Sequence, residues 1–294
     1  MNPTNLEFSI SMSKFFKQAV KAIVPSSILA SAMVTRERWR LARIPKARFD
    51  AERLNALSRP QFDAAFTDDA IGTAWRRDLA LMSRVMPYAD IYGGVCPGER
   101  RAIYQLIAWL KPRRVLEIGT HIGASTLVIA QALASHAGPD GMLVTGDILD
   151  VNDPEQGAYS SLGTLSPRDG LRQLGIENHV RFEAKPALQL MPELDQKFDF
   201  IFLDGDHSAP AVYQEVSVAL DLLAPDGLIL LHDFYPEGTK IYPDGMVVPG
   251  PFVAAQRIHH EIPKLNFLPL GELPWETKQG VRKTSLALVS RKQP

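Results

Sequence analysis

The chain has a single cysteine, Cys96, among 294 residues. That excludes an intramolecular disulfide framework and a cysteine-rich zinc site, and it suits a reducing compartment, so a cytoplasmic location is expected. Also missing is any apolar run near the roughly eighteen residues that a membrane-spanning helix requires. Neither sign of charge is in excess, with 32 Lys and Arg against 33 Asp and Glu. Without a basic surplus there is no bulk electrostatic pull toward nucleic acid, and a small molecule becomes the default ligand. Internal repeats and low-complexity tracts are absent too, so the chain reads as consecutive supersecondary units. What remains is enough length to bury a full core, as one large α/β domain with an appended segment or as two small domains.

Charge is balanced globally but not locally. Between positions 8 and 49, nine Lys or Arg residues accompany one acid, Glu37, threaded through Phe15, Phe16, Val20, Ile23, Ile28 and Leu29. Such a segment either lies on a membrane surface or a partner as a basic amphipathic stretch, or forms a solvated, self-packing extension broken at Pro25. Lysines interrupt its apolar stretch and no small-residue cleavage site follows, so a cleaved signal peptide is not expected.

Three zones follow along the chain: a basic extension over 1–60, a helical lead-in over 61–111, and an alternating region over 112–294. In the lead-in, "TAWRRDLALMSRVM" and "PGERRAIYQLIAWL" space apolar residues three and four apart, as amphipathic helices do. From Arg114 the texture changes to short, nearly continuous apolar strands, "RVLEIG", "GMLVTGDI", "HVRFEAK", "FDFIFLDGD" and "LILLHDF", separated by helical patterns. That alternation predicts an α/β, Rossmann-like, doubly wound and mainly parallel sheet covered on both faces. The last two strand-like runs, "NFLPLGE" and "TSLALVSRK", have no helix between them and are expected to pair antiparallel at the sheet edge. In such sheets ligands sit outside the carboxyl ends of the strands, which makes the strand-end residues the ones to interrogate.

At the first strand end stands Glu117-x-Gly119-x-x-x-Gly123. Gly119 permits a tight exit from the strand, and Gly123 lets the next helix bring its N-terminal amides near a ligand. The spacing is not the G-x-G-x-x-G of dinucleotide binders. Glu117 would repel a pyrophosphate and welcome an ammonium group or hydroxyls, so the turn favours a ligand that carries a cation. The second strand ends in "TGDILD", where Asp147, more than Asp150, is placed to accept from both hydroxyls of a ribose.

Glu117, Gly119, Gly123 and Asp147, followed by "FDFIFLDGDHSAPAVYQEVSVALDLLAPDGLILLHDF", resemble the class I S-adenosylmethionine-dependent methyltransferases. The likeness is narrower still to the bacterial O-methyltransferase branch that includes catechol and macrocin O-methyltransferases. It extends over roughly 93–292 and leaves the N-terminal zone unmatched. The resemblance implies S-adenosyl-L-methionine as cofactor, with Glu117 and the turn of Gly119, Thr120 and Gly123 holding its amino-acid end and Ser125 bonding its carboxylate. It further implies Asp147 on the ribose, Ile148 against the adenine, and the "YGGV" turn at 92–95, with Val95, closing over the methionine part. Lys185 and Pro186 stand where a small polar or acidic residue usually meets the adenine edge, so that contact stays unassigned.

"LDGDH" and "LLHDF" bring Asp204, Asp206, His207, His232 and Asp233 to two further strand ends. Methyl transfer needs a deprotonated nucleophile aligned with the methyl, so the site must lower a hydroxyl pKa or supply a base. Asp204 is a candidate for both chemistry and cofactor contact. His207 is the preferred base, with His232 as the other. The resemblance places Asp204 and Asp233 at two ligand positions for a divalent cation, Mg2+ being the expected one. Phe234 follows where a third oxygen ligand is often found, so either Asp206, His207 or waters complete the shell, or no metal binds. The other reading of Asp206 is a helix cap, and that of His232 is a core histidine bonded to a carbonyl. His259 and His260, away from the strand ends, read as structural.

The expected activity is methyl transfer to a hydroxyl of a small molecule, a sugar or natural product, with 149–167 and 235–248 selecting the acceptor. Two other classes stay open: a nicotinamide-dependent oxidoreductase, and a noncatalytic cofactor-binding or membrane-associated scaffold. The resemblance also implies a homo-oligomer, assembled through the N-terminal helices.

Overall fold

The computed structural model describes residues 26–86 and 94–292. Its centre is a seven-stranded sheet of order β3-β2-β1-β4-β5-β7-β6. The strands are β1 (Arg114–Ile118), β2 (Met142–Asp147), β3 (Val180–Ala184), β4 (Phe198–Leu203), β5 (Leu223–Leu231), β6 (Leu265–Pro269) and β7 (Ala287–Arg291). β1 to β5 run parallel, and β7 inserts antiparallel between β5 and β6. The expected antiparallel pairing of the last two strands is therefore present. The stretch "APDG" is absorbed into β5, where Asp226 takes a positive φ of 61° and the register against β4 shifts.

Burial on both faces explains why these strands are apolar throughout rather than alternating. Successive residues still point to opposite sides. Val115, Leu143, Phe200, Phe202, Leu228 and Leu230 join one core with α2 (Arg59–Thr67), α3 (Asp69–Val85), α4 (Pro97–Leu110) and α5 (Ala124–His136). Leu116, Ile118, Val144, Ile201, Leu203, Ile229 and Leu231 join the other, with α8 (Ala187–Glu193), α9 (Ala209–Leu222) and α10 (Pro249–Glu261). Between β2 and β3, the long loop carries two short helices, α6 (Ala158–Leu162) and α7 (Pro167–Gln173).

The described part of the N-terminal zone packs onto the second core rather than standing apart. Its helix α1 (Ser26–Leu41) sends Glu37, 3% exposed, to the start of α9, where Oε2 accepts from the Ala209 N–H at 2.9 Å. Arg257 of α10 donates to the carbonyls of Leu41 and Ile44, and the Ala47 N–H donates to the Tyr213 hydroxyl. Of the nine basic residues at 8–49, three lie outside the described residues.

Register aligns the strand ends. Ile118 pairs with Gly146 and Leu203, Asp147 with Ala184, and Leu203 with Leu231. The residues after β1, β2, β3, β4 and β5 therefore share one edge of the sheet, and a cavity of about 730 Å³ opens there.

Candidate active site

Glu117, next to last in β1, is 0% exposed. Its Oε2 accepts from the hydroxyls of Thr126 and Thr145 at 2.5 and 2.6 Å, while Oε1 is buried with no partner. Burial pushes this carboxyl up to about 7; the hydroxyls of Ser125, Thr126 and Thr145 offset part of that, and the Asp204 carboxylate adds to it. An acid with one lone oxygen at a strand end is a receptor for a donor, and an ammonium fits best.

The turn after it follows the sequence expectation. Gly119 has φ +103° and Gly123 φ +78°. A Cβ at Gly119 would lie 2.1 Å from the Asp204 carbonyl oxygen, so only glycine lets β1 and β4 end side by side. Between the glycines, His121 also takes a positive φ, 48°, and its N–H donates to Asp147 Oδ2 at 2.9 Å. Asp147 and Ile148 both line the cavity, Ile148 at 69% exposed. Thr120 turns inward, 2% exposed, its hydroxyl 2.6 Å from that of Thr145. Ser125 is 3% exposed beside Glu117. Of the "YGGV" turn, Tyr92 and Gly93 lie outside the described residues. Val95 is the correction here: its apolar side chain packs in the core at 1% exposed, leaving Gly94 and Cys96 on the cavity wall.

The acid-base group sits at the ends of β4 and β5. His232 is 5% exposed, with Nδ1 2.6 Å from Asp204 Oδ1 and Nε2 3.1 Å from Glu99 Oε2. Both ring nitrogens face carboxylates, so both carry protons and the ring is an imidazolium. Burial opposes that charge, but Asp204, Asp233 and Glu99 outweigh it and hold His232 well above the ordinary histidine range. Glu99, at the start of α4, is 1% exposed; its Oε1 accepts from Tyr242, Thr284 and Ser285. Burial alone would raise it, yet His232 and these donors keep it well below the usual carboxylate range. His232 is thus neither a free base nor a core histidine on a carbonyl; it is clamped between two acids.

His207 is free by comparison. Its side chain is 37% exposed, with Nε2 3.9 Å from Asp204 Oδ1 and 3.6 Å from Asp233 Oδ2, beyond hydrogen-bond distance. Its main chain is fixed by a close approach, since a Cβ at Gly250 of α10 would sit 1.9 Å from the His207 carbonyl oxygen. Asp233 has φ 54°, a left-handed conformation that Asp tolerates better than most residues.

As a cation cage this donor set fits poorly. Asp206 turns back to accept from the N–H and hydroxyl of Ser208, the N-cap of α9, at 2.9 and 3.1 Å. Asp204 is engaged by the His232 imidazolium, and Phe234 is buried against Phe252 and Phe267. Among the described residues no three carboxylate, imidazole or thiol groups converge as metal ligands.

Four wall residues were not picked out by sequence, Glu99, Lys278, Ser285 and Glu215, whereas Tyr235, Tyr242, Met246 and Val248 belong to the 235–248 stretch expected near the acceptor. Glu99 lies 133 positions from its partner His232, a separation that carries no spacing signal. An acid within the apolar face of a predicted helix was the one clue, present at both Glu99 and Glu215. His259, bonded through Nδ1 to the Leu265 carbonyl, is structural as expected.

A family described as a methyltransferase domain matches residues 116–234. Catechol O-methyltransferase of Mycobacterium tuberculosis is 31% identical over 112 residues, 38% of this chain and 44% of that protein. A catechol O-methyltransferase of Niastella koreensis is 26% identical over 148 residues, 49% of this chain and 59% of that one. The chain spans about half the length of the curated relatives it matches. Among solved structures, the O-methyltransferase TomG of Streptomyces achromogenes, in complex with S-adenosylmethionine, superposes with a TM-score of 0.50 at 22% identity, covering 84% of this chain and 100% of that one. An O-methyltransferase of Bacillus cereus, in complex with S-adenosylhomocysteine, gives 0.50 at 19%, covering 83% and 100%. These two share the fold.

Proposed function

We infer, from the match of residues 116–234 to a methyltransferase-domain family and the shared fold, that the protein transfers the methyl of S-adenosylmethionine to a hydroxyl of a small molecule. One observation carries the reading: an unbonded histidine, His207, lines the strand-end cavity with Gly119 and Asp147, and the buried acid Glu117, with its lone oxygen, stands in β1 directly behind that turn. Fold alone would not single out a reaction.

The residues suit the cofactor. Glu117 Oε1 would take its ammonium, the Gly119 turn would admit its amino-acid end, and Asp147 would accept from the ribose hydroxyls. When bound, the cofactor supplies an electrophilic sulfonium methyl. His207 would remove the acceptor's proton, and Asp204 and Asp233 beside it would stabilise the imidazolium so formed. His232, already cationic, would be a positioning residue: it holds Asp204 between β4 and β5 and balances the carboxylates. That role makes a Mg2+ at Asp204, Asp233 and Asp206 the second reading, since a dication there would compete with the His232 charge. The nicotinamide reading would have to place a pyrophosphate beside Glu117.

Calorimetric titration of the purified chain with S-adenosylhomocysteine, with and without Mg2+, tests this against a Glu117→Ala control. Micromolar binding lost in the control supports it; no binding by folded protein removes it, and tighter binding with Mg2+ revives the cation. The acceptor, contact of the basic segment with anionic vesicles, and a homo-oligomer are proposals read by product analysis, cosedimentation and gel filtration.

A further inference from the structure

The cavity wall holds a group that the mechanism leaves unused. Glu215, on α9, is 3% exposed, lines the cavity, and makes no hydrogen bond or ion pair with any described residue. Burying a carboxyl without a partner is costly, and a fold keeps such a group only where something else satisfies it. We propose that Glu215 recognises the purine edge of the cofactor. The assignment rests on the reading of the cavity as an S-adenosylmethionine site.

Position supports it. Ala211 and Glu215 are four apart on α9 and so share a face. Helices α8 and α9 pack side by side, and Ala187 and Leu188 at the start of α8 line the same cavity as Ile148. Asp147, the proposed ribose acceptor, lines that cavity as well. Gly205 leaves the way open: a Cβ there would lie 2.9 Å from Ile118 and 3.8 Å from Glu215 Oε1.

The two residues between β3 and α8 offer a purine edge no free side-chain donor. Lys185 gives its ammonium to Glu193, and Pro186 has no N–H. Glu215 has the required chemistry. Burial, with the nearby Asp206 carboxylate, pushes it up to about 8, so at neutral pH it is mostly the neutral acid. A neutral carboxyl donates through its O–H and accepts through its carbonyl, which matches the ring nitrogen and 6-amino group that adenine presents side by side.

The test uses S-adenosylhomocysteine and its analogue with hydrogen in place of the 6-amino group, titrated into the full chain. Wild type is expected to bind the analogue about tenfold more weakly, as loss of one buried hydrogen-bond partner predicts. Glu215→Gln, which keeps a donor and an acceptor, should retain that preference. Glu215→Leu should bind the two alike. A leucine variant that still discriminates overturns the assignment, as does equal binding of both ligands by wild type, a result that needs no variant to fold. Failure of wild type to bind S-adenosylhomocysteine at all would instead remove the cofactor reading itself.

Discussion

Cofactor binding should expel a proton from Glu117. The unliganded acid stands at about 7 against an ordinary 4.5, because it is buried with one oxygen unpartnered. At about 1.4 kcal/mol per pH unit, that difference makes ionising the empty site cost about 3 kcal/mol more than in water. An ammonium placed on Oε1 stabilises the carboxylate and returns the group toward its ordinary value. Near pH 6 binding should then release close to one proton, and near pH 7 about half, with affinity for S-adenosylhomocysteine rising by up to about tenfold per pH unit below 7 and flattening above. Calorimetry from pH 5.5 to 7.5, in two buffers of different ionisation enthalpy, reads both quantities. Glu117→Gln should weaken binding about ten- to a hundredfold, as loss of a charge-assisted bond does, and abolish the slope. His207→Gln should leave it in place. Affinity flat with pH and heat independent of buffer would refute the placement of an ammonium on Glu117.

Stability should fall as pH rises from about 5 to 8. Glu117 and Glu215, raised to about 7 and about 8, hold protons in the folded chain that the unfolded chain releases from about 4.5 upward, and His232, raised above its ordinary range, adds the same sign above 6.5. A melting temperature that climbs over that window would contradict these burials. His207→Ala should lower kcat by about a hundred- to ten-thousandfold while leaving S-adenosylhomocysteine affinity within about threefold; unchanged kcat in a steady-state assay would remove it as base. Glu37→Ala, which uncaps Ala209 at the start of α9, should cost about 1–2 kcal/mol, seen as a lowered urea midpoint. An unchanged midpoint would mean that α1 contributes nothing to holding the His207 segment.

What the sequence determined by itself is what depends on neighbours along the chain. Strand and helix alternation, the Gly119 and Gly123 turn, and Asp147 closing β2 are local patterns whose period and chirality leave few alternatives, and all are present. The parallel sheet then forces the ends of β1, β2, β4 and β5 together, so Glu117, Asp147, Asp204 and His207 could be grouped before any coordinates. Only tertiary structure decided the protonation and the partners. His232 looked like a base or a core histidine until packing brought Glu99 from α4 against one ring nitrogen and Asp204 against the other. Asp206 read equally as a metal ligand or a helix cap until it folded back on Ser208, the residue that caps α9. Val95 packs into the core beside α4, where its apolar side chain is removed from water altogether. Glu215 became visible only when α8 and α9 closed around it, since neither burial nor the lack of a partner is written in the residue's immediate neighbours.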